Sequence, residues 1–141
     1  MTFDINEVLF DAKLLGSKIS DSSGVKHTHC YSKGYCFAEE DGVLTSLFLS
    51  FTDGYHAYKA FTGGIVFNGK THYFNEHTSV AEIESVFINT VDGHEDNLEI
   101  SRTFVTDGLE IECSWYHDVH GISFTYILVE LEDGFYSDPD T

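Results

Sequence analysis

Asp107-Gly108 stands between two runs that alternate apolar and polar residues, and this dipeptide constrains the chain more than any other feature. An Asp-Gly pair favours the two-residue hairpin turn whose central residues take positive φ. Side chains of a strand alternate between faces with period two, so such a turn decides which residues meet across it. It pairs Thr106 with Leu109, Phe104 with Ile111, Arg102 with Cys113 and Ile100 with Trp115 on one face. On the other it pairs Val105 with Glu110, Thr103 with Glu112 and Ser101 with Ser114. The first set is mostly apolar and the second mostly polar, so turn chemistry and hydrophobic pattern specify the same antiparallel hairpin.

Other segments follow the same logic. Tyr35–Ala38, Val43–Phe51 and Tyr55–Phe67 read as strands, separated by the glycine-containing turns ending at Gly42, Gly54 and Gly69. A last strand covers Ile122–Leu131, where Ser123 and Thr125 face outward in one register and Glu130 and Glu132 in the opposite one; a bulge near Tyr126–Leu128 reconciles them. Asp92–Asn97 reads as a polar loop. Helical signals occur twice. Asp4 with Glu7, and Phe3 with Val8, form a capping arrangement before the stripe Ile5, Val8, Leu9, Ala12 and Leu15, predicting a helix over Ile5–Leu15. Ser79 and Glu82 form a second capping box before Val80, Ile83 and Phe87, predicting a short helix ending near Asn89. The expected fold is one α+β domain, an antiparallel sheet or sheets with two short helices packed on one face. Its core should contain Ile5, Leu9, Ile83, Phe87, Phe104, Ile111, Trp115 and Phe124. The order of elements in residues 1–70 and 71–135 fits a loose internal repeat and fits equally the ordinary recurrence of α+β elements, with 136–141 as a frayed tail.

A chain of 141 residues with 42% hydrophobic side chains and one proline has material for one core. Its formal charge of −17 is unevenly placed: residues 1–70 hold eight acids and six lysines, residues 71–141 sixteen acids and Arg102 alone. Such a field repels nucleic acid and anionic membranes and attracts a basic protein or cations; acidity also serves simple solubility. No stretch approaches eighteen apolar residues and the N-terminus lacks the pattern of a signal peptide, so a soluble, cytoplasmic protein is expected. Cys30, Cys36 and Cys113 have no regular spacing and suit reduced, packed thiols.

Candidate chemistry is sparse. His27, His29, Cys30 and Cys36 are close together, but they lack the paired spacing of a zinc site, and His27 and His29 would share one strand face. His117, Asp118 and His120 could be imagined as an acid–base group, yet polar residues at a turn need no such role and no nucleophile elbow is present. Asp92, Glu95 and Asp96 lack the alternating ligand positions of a calcium loop, and no lysine follows Gly63-Gly64 as a phosphate loop requires. No catalytic, cofactor or metal residue is therefore assigned. Glu110, Glu112, Ser114 and Tyr116 share the face opposite Trp115, an exposed tyrosine among carboxylates. With Glu95, Asp96, Glu99 and Asp118 nearby, Glu110, Glu112 and Tyr116 form a candidate surface for a basic partner.

The run from Ile65 through Asn68-Gly69-Lys70, the capped segment Thr78–Glu84 and the strand start Asp107–Ile111 resembles small immunity proteins found beside bacterial polymorphic and contact-dependent growth-inhibition toxins. The resemblance covers about half of the chain and transfers no functional residue. It implies a non-enzymatic cytoplasmic inhibitor that binds a cognate toxin, often a basic nuclease. A ligand-binding protein or enzyme using the histidines, and an adaptor domain, are the alternatives. Since the histidines and cysteines lack zinc spacing, purified protein is expected to contain no stoichiometric zinc by elemental analysis and to melt at the same temperature with or without chelator. One zinc per chain would overturn this.

Overall fold

The computed structural model describes residues 2–5, 25–40, 43–106 and 108–131. In chain order the strands are β1 (Thr2–Asp4), β2 (Val25–Cys30), β3 (Tyr35–Glu40), β4 (Val43–Ser50), β5 (Gly64–Phe67) and β6 (Lys70–His72). After helix α1 (Val80–Val86) come β7 (Thr90–Glu95), β8 (Glu99–Thr106), β9 (Leu109–Asp118) and β10 (Gly121–Leu131). A seven-stranded sheet has the order β2-β3-β4-β10-β9-β8-β7, antiparallel throughout, and a small sheet has the order β1-β5-β6. β1 lies parallel to β5.

The β8–β9 register is the one read from the sequence: Phe104 faces Ile111, Arg102 faces Cys113 and Ile100 faces Trp115, with Gly108 at φ 81° in the turn. Alternation therefore turns Leu109, Ile111, Cys113 and Trp115 inward, and all are buried. The large sheet's inner face also carries Phe37, Leu47, Leu49, Ile127 and Val129, and the small sheet and α1 close over it with Phe3, Ile65, Phe67, Ile83 and Phe87 in one apolar cluster. Ring contacts tie the layers: Phe87 lies 4.8 Å from Phe67 and 5.6 Å from Phe104 between centroids. Of the expected core residues, Ile5, Ile83, Phe87, Phe104, Ile111, Trp115 and Phe124 are buried. Leu9 lies outside the described residues.

The fold is mainly antiparallel β, with one α-helix among the described residues, where an α+β arrangement with two helices was expected. Ser79 caps α1 as its sequence implies, its Oγ accepting the Glu82 N–H at 3.1 Å. The helix stops at Val86, and Asn89 at φ 73° turns the chain toward β7. The expected helix Ile5–Leu15 lies outside the described residues except for Ile5, whose N–H extends the β1–β5 pairing by donating to the Val66 carbonyl at 2.8 Å. Tyr55–Phe67 is strand only over Gly64–Phe67, preceded by a 3-10 turn at Tyr55–Ala57 and irregular chain. Its aromatics Tyr55, Tyr58 and Phe61 recur every third residue, a spacing that no strand can place on one face. The Asp92–Asn97 loop is instead largely β7. This edge strand is exposed along its whole length and so has no apolar face for a sequence pattern to reveal. The β10 bulge falls at Thr125, between Phe124 and Tyr126, a step before the expected place. It turns both Phe124 and Ile127 inward.

Trp115 is fully buried, stacks near Phe124 with centroids 5.0 Å apart and donates its indole N–H to the Thr78 carbonyl at 2.9 Å. Trp115→Ala should cost about 3–5 kcal/mol in chemical denaturation, through the cavity and the orphaned carbonyl just ahead of α1. A loss below about 1 kcal/mol would contradict its burial.

Candidate functional site

Among the described residues the small sheet and α1 pack on one face of the seven-stranded sheet, so strand parity decides what the other face presents. In the second half this outer face carries Glu99, Ser101, Thr103 and Val105 from β8, and Glu110, Glu112, Ser114 and Tyr116 from β9. β10 adds Ser123, Tyr126, Leu128 and Glu130. β4 continues the face with Ser46, Phe48 and Ser50, β3 with Cys36 and Ala38, and β2 with His27 and His29. One continuous surface thus runs from acids at one side to rings at the other.

The structure brings Glu99, Glu110, Glu112 and Tyr116 onto this face, with Tyr116 half exposed and directly opposite Glu99. Two of the carboxylates are held: Ser114 Oγ donates to Glu99 at 3.2 Å, and the Tyr126 hydroxyl donates to Glu112 at 2.9 Å. Glu95 is not part of the strip. It pairs with Ile100 in register, on the helix-facing side, and forms an ion pair with Arg102, which also approaches Glu84 of α1 at 3.9 Å. Arg102 is the single base of residues 71–141, and its side chain is only 17% exposed on the opposite side of the sheet. Asp96 sits in the β7–β8 turn and Asp118 is the last residue of β9, both at the Tyr116 end. Asp96 accepts the Leu98 and Glu99 N–H groups, both at 2.8 Å, and Asp118 accepts the His120 N–H at 2.7 Å.

Sequence reasoning missed the aromatic part of the face. The Tyr55–Ala57 turn folds over the sheet, so that Tyr55 lies 6.2 Å from Phe48 and 5.9 Å from Tyr126, and Tyr58 lies 4.7 Å from Tyr31 and 5.5 Å from Phe48. Tyr58 hydroxyl and His29 Nδ1 are hydrogen-bonded at 2.6 Å. Phe48 was the available signal, since it alternates out of phase with the buried Leu47 and Leu49. The turn is held by Asp53, which accepts the Ala60 N–H at 2.6 Å, and it places His56 and Ala57 consecutively at φ 49° and 70°. Left-handed backbone at a non-glycine residue costs of order 1–3 kcal/mol and persists where surrounding structure imposes it. Beneath the loop, Gly34 at φ 80° brings two chain segments into backbone contact; a Cβ there would stand 2.4 Å from the Lys59 carbonyl oxygen.

Burial, then the Glu112 charge, raises the Tyr126 phenol above its ordinary range. Tyr55 is raised by burial and then by Glu99 and Glu112, and Tyr58 by burial and then a hydrogen bond with Cys36. All three phenols therefore stay protonated. Among the described residues no three His, Cys, Asp or Glu side chains are grouped to hold a metal ion. His27, His29 and Cys36 share the outer face, whereas Cys30 pairs with Tyr35 on the other parity. No helix among them is long and apolar enough to cross a membrane.

Asp96 generates a pH prediction. Its hydrogen bond with His94, then those from Leu98 and Glu99, lower its pKa from 3.8 to about 2, and the same His94 contact raises the imidazole. A depressed carboxylate contributes stability that is present above its ordinary pKa and lost as pH falls through the folded value. In an NMR acid titration the Leu98 and Glu99 amide resonances should move with a midpoint near 2; a midpoint at 3.8 would mean that the turn is not held by Asp96.

No protein-family profile, no curated protein and no solved structure matches the chain.

Proposed function

We propose that the chain binds a basic protein through the outer face of β8–β10, and that it acts as an immunity protein whose partner is a basic toxin held away from its target. The observation that carries this reading is a segregation of charge. Glu99, Glu110, Glu112 and Glu130 share one face with the exposed Tyr116, while Arg102, the single base of residues 71–141, is turned to the other side. A surface of one sign steers an oppositely charged partner and repels nucleic acid that such a partner would bind. An exposed tyrosine among hydrogen-bonded carboxylates is also a suitable interface anchor, because large rigid side chains lose little conformational freedom on binding. The toxin as partner rests on the resemblance of Ile65–Lys70, Thr78–Glu84 and Asp107–Ile111 to immunity proteins. It adds specificity to what the charge supports.

The test begins with whether a toxin gene lies beside this one, and then measures binding to that toxin, with protection of cells as the second measurement. Glu110→Lys with Glu112→Lys should abolish protection and slow association by more than tenfold at low salt, an effect that fades as ionic strength rises. Truncating a carboxylate that is fully desolvated against a partner base should cost about 2–5 kcal/mol of affinity, whereas a rim acid should matter little. Glu95→Lys, on the opposite face, should perturb Arg102 and stability more than binding. A folded Glu110/Glu112 reversal that binds and protects like the parent would overturn the assignment of this face.

A further inference from the structure

Beside the acids, the outer face holds a ring-lined cleft that the acidic strip leaves without a role. Its volume is about 440 Å³ and its walls are His29, Tyr31, Cys36, Phe48, His56 and Tyr58. Tyr31 is 47% exposed, so the cleft offers ring surface to solvent. Among the described residues no lysine or arginine lines it, and Lys59, next to Tyr58, is exposed and lies outside the wall. The ring row continues from Phe48 to Tyr126, 5.4 Å away, whose hydroxyl is bonded to Glu112. Tyr55, 5.9 Å from Tyr126, feels the charges of both Glu99 and Glu112. Aromatic surface therefore passes without a break into carboxylates that Tyr126 and Ser114 already hold in place.

This combination selects among occupants. The carboxylates beside the cleft disfavour an anion, and a purely apolar side chain would make no use of them. A guanidinium is planar, weakly hydrated and always charged; it stacks on ring faces and forks onto carboxylates, which a compact, strongly hydrated ammonium does less well. We infer that the cleft seats an arginine side chain from an extended arginine-bearing segment of the basic partner, its guanidinium against Tyr31 and Phe48, with the buried Tyr58 backing them, and its neighbouring bases over Glu112 and Glu99. This site deepens the reading of the outer face as a partner surface and rests on it.

The experiment uses the full chain and a short synthetic peptide, Gly-Arg-Gly-Arg-Gly, against the same peptide with citrulline at both arginine positions. Citrulline keeps the shape and removes the charge. Binding is followed by NMR shifts of the Tyr31, Phe48 and Tyr58 rings. The arginine peptide should bind about tenfold or more tightly than the citrulline peptide, in keeping with a desolvated cation–ring contact. Tyr31→Phe should keep the affinity, because the ring face remains, and Tyr31→Leu, at a half-exposed position, should lose about tenfold. Phe48→Leu, at the second ring of the wall, should show the same direction of change. Equal binding of the two peptides, shifts away from the cleft, or an unaffected Tyr31→Leu would overturn the site. Peptide binding in the cleft of a chain that protects against no toxin would support the site and sink the toxin reading. Protection that depends on Glu110 and Glu112, in a chain whose cleft ignores the arginine peptide, would do the reverse.

Discussion

Antiparallel pairing of β4 with β10, from Tyr126 opposite Ser50 to Glu130 opposite Ser46, joins the first-half strands to the second-half strands, and the rest of the molecule depends on it. On the inner side this seam continues one apolar layer from Leu47 and Leu49 to Ile127 and Val129, against which the small sheet and α1 can close. On the outer side it brings Phe48 beside Tyr126, and so joins an aromatic surface to an acidic one. The bulge at Thr125 makes both possible. Without the extra residue, Phe124 and Ile127 could not both face inward, and the strand would have to put one of them in water.

Charge is sorted as strictly as apolarity. A chain with sixteen acids in its second half needs its one base where carboxylates would otherwise crowd against the core, and Arg102 serves there between Glu84 and Glu95. Held mostly out of solvent, that arginine is stiffer than an exposed pair and is committed to the α1 side. The outer face is left with its acids. Hydrogen bonds from Tyr126 and Ser114 then limit how far two of them can reorient, which lowers the ordering cost of any later contact.

The hairpin of β8 and β9 was legible to the residue because two independent signals agreed, a glycine turn and an uninterrupted alternation. The α1 start was legible for a similar reason, a side-chain cap followed by a buried stripe. β7 was not legible, since an edge strand exposed on both faces reads like a polar loop until its hydrogen bonds are known. The Tyr55–Phe61 segment misled because aromatic content suggests strand, while its three-residue spacing serves two surfaces at once: Tyr58 turns toward Phe48, and Phe61 lies in the core cluster. At the site, Glu99, Glu110, Glu112 and Tyr116 followed from parity. Glu95 did not, because the register of an unrecognised strand was needed to place it. The ring cleft was out of reach because its defining contacts, such as His29 with Tyr58, join segments far apart in sequence through a loop with no regular period.

Gly34 gives this arrangement an asymmetric tolerance to change. The rings of the cleft are largely interchangeable, since another aromatic residue at Tyr31 or Phe48 would still present a face. At Gly34 no other residue fits: the backbone is left-handed, and the space for a Cβ is taken by the Lys59 carbonyl and the Phe61 amide nitrogen, at 2.4 and 2.6 Å. Any side chain there would push the tyrosine-bearing loop off the sheet while every ring remained in the sequence. A variant could therefore exchange one of these aromatics for another and keep the cleft. A variant that lost the glycine would keep its aromatics and lose the cleft, so the shape of this surface hangs on the absence of a single atom rather than on the residues that line it.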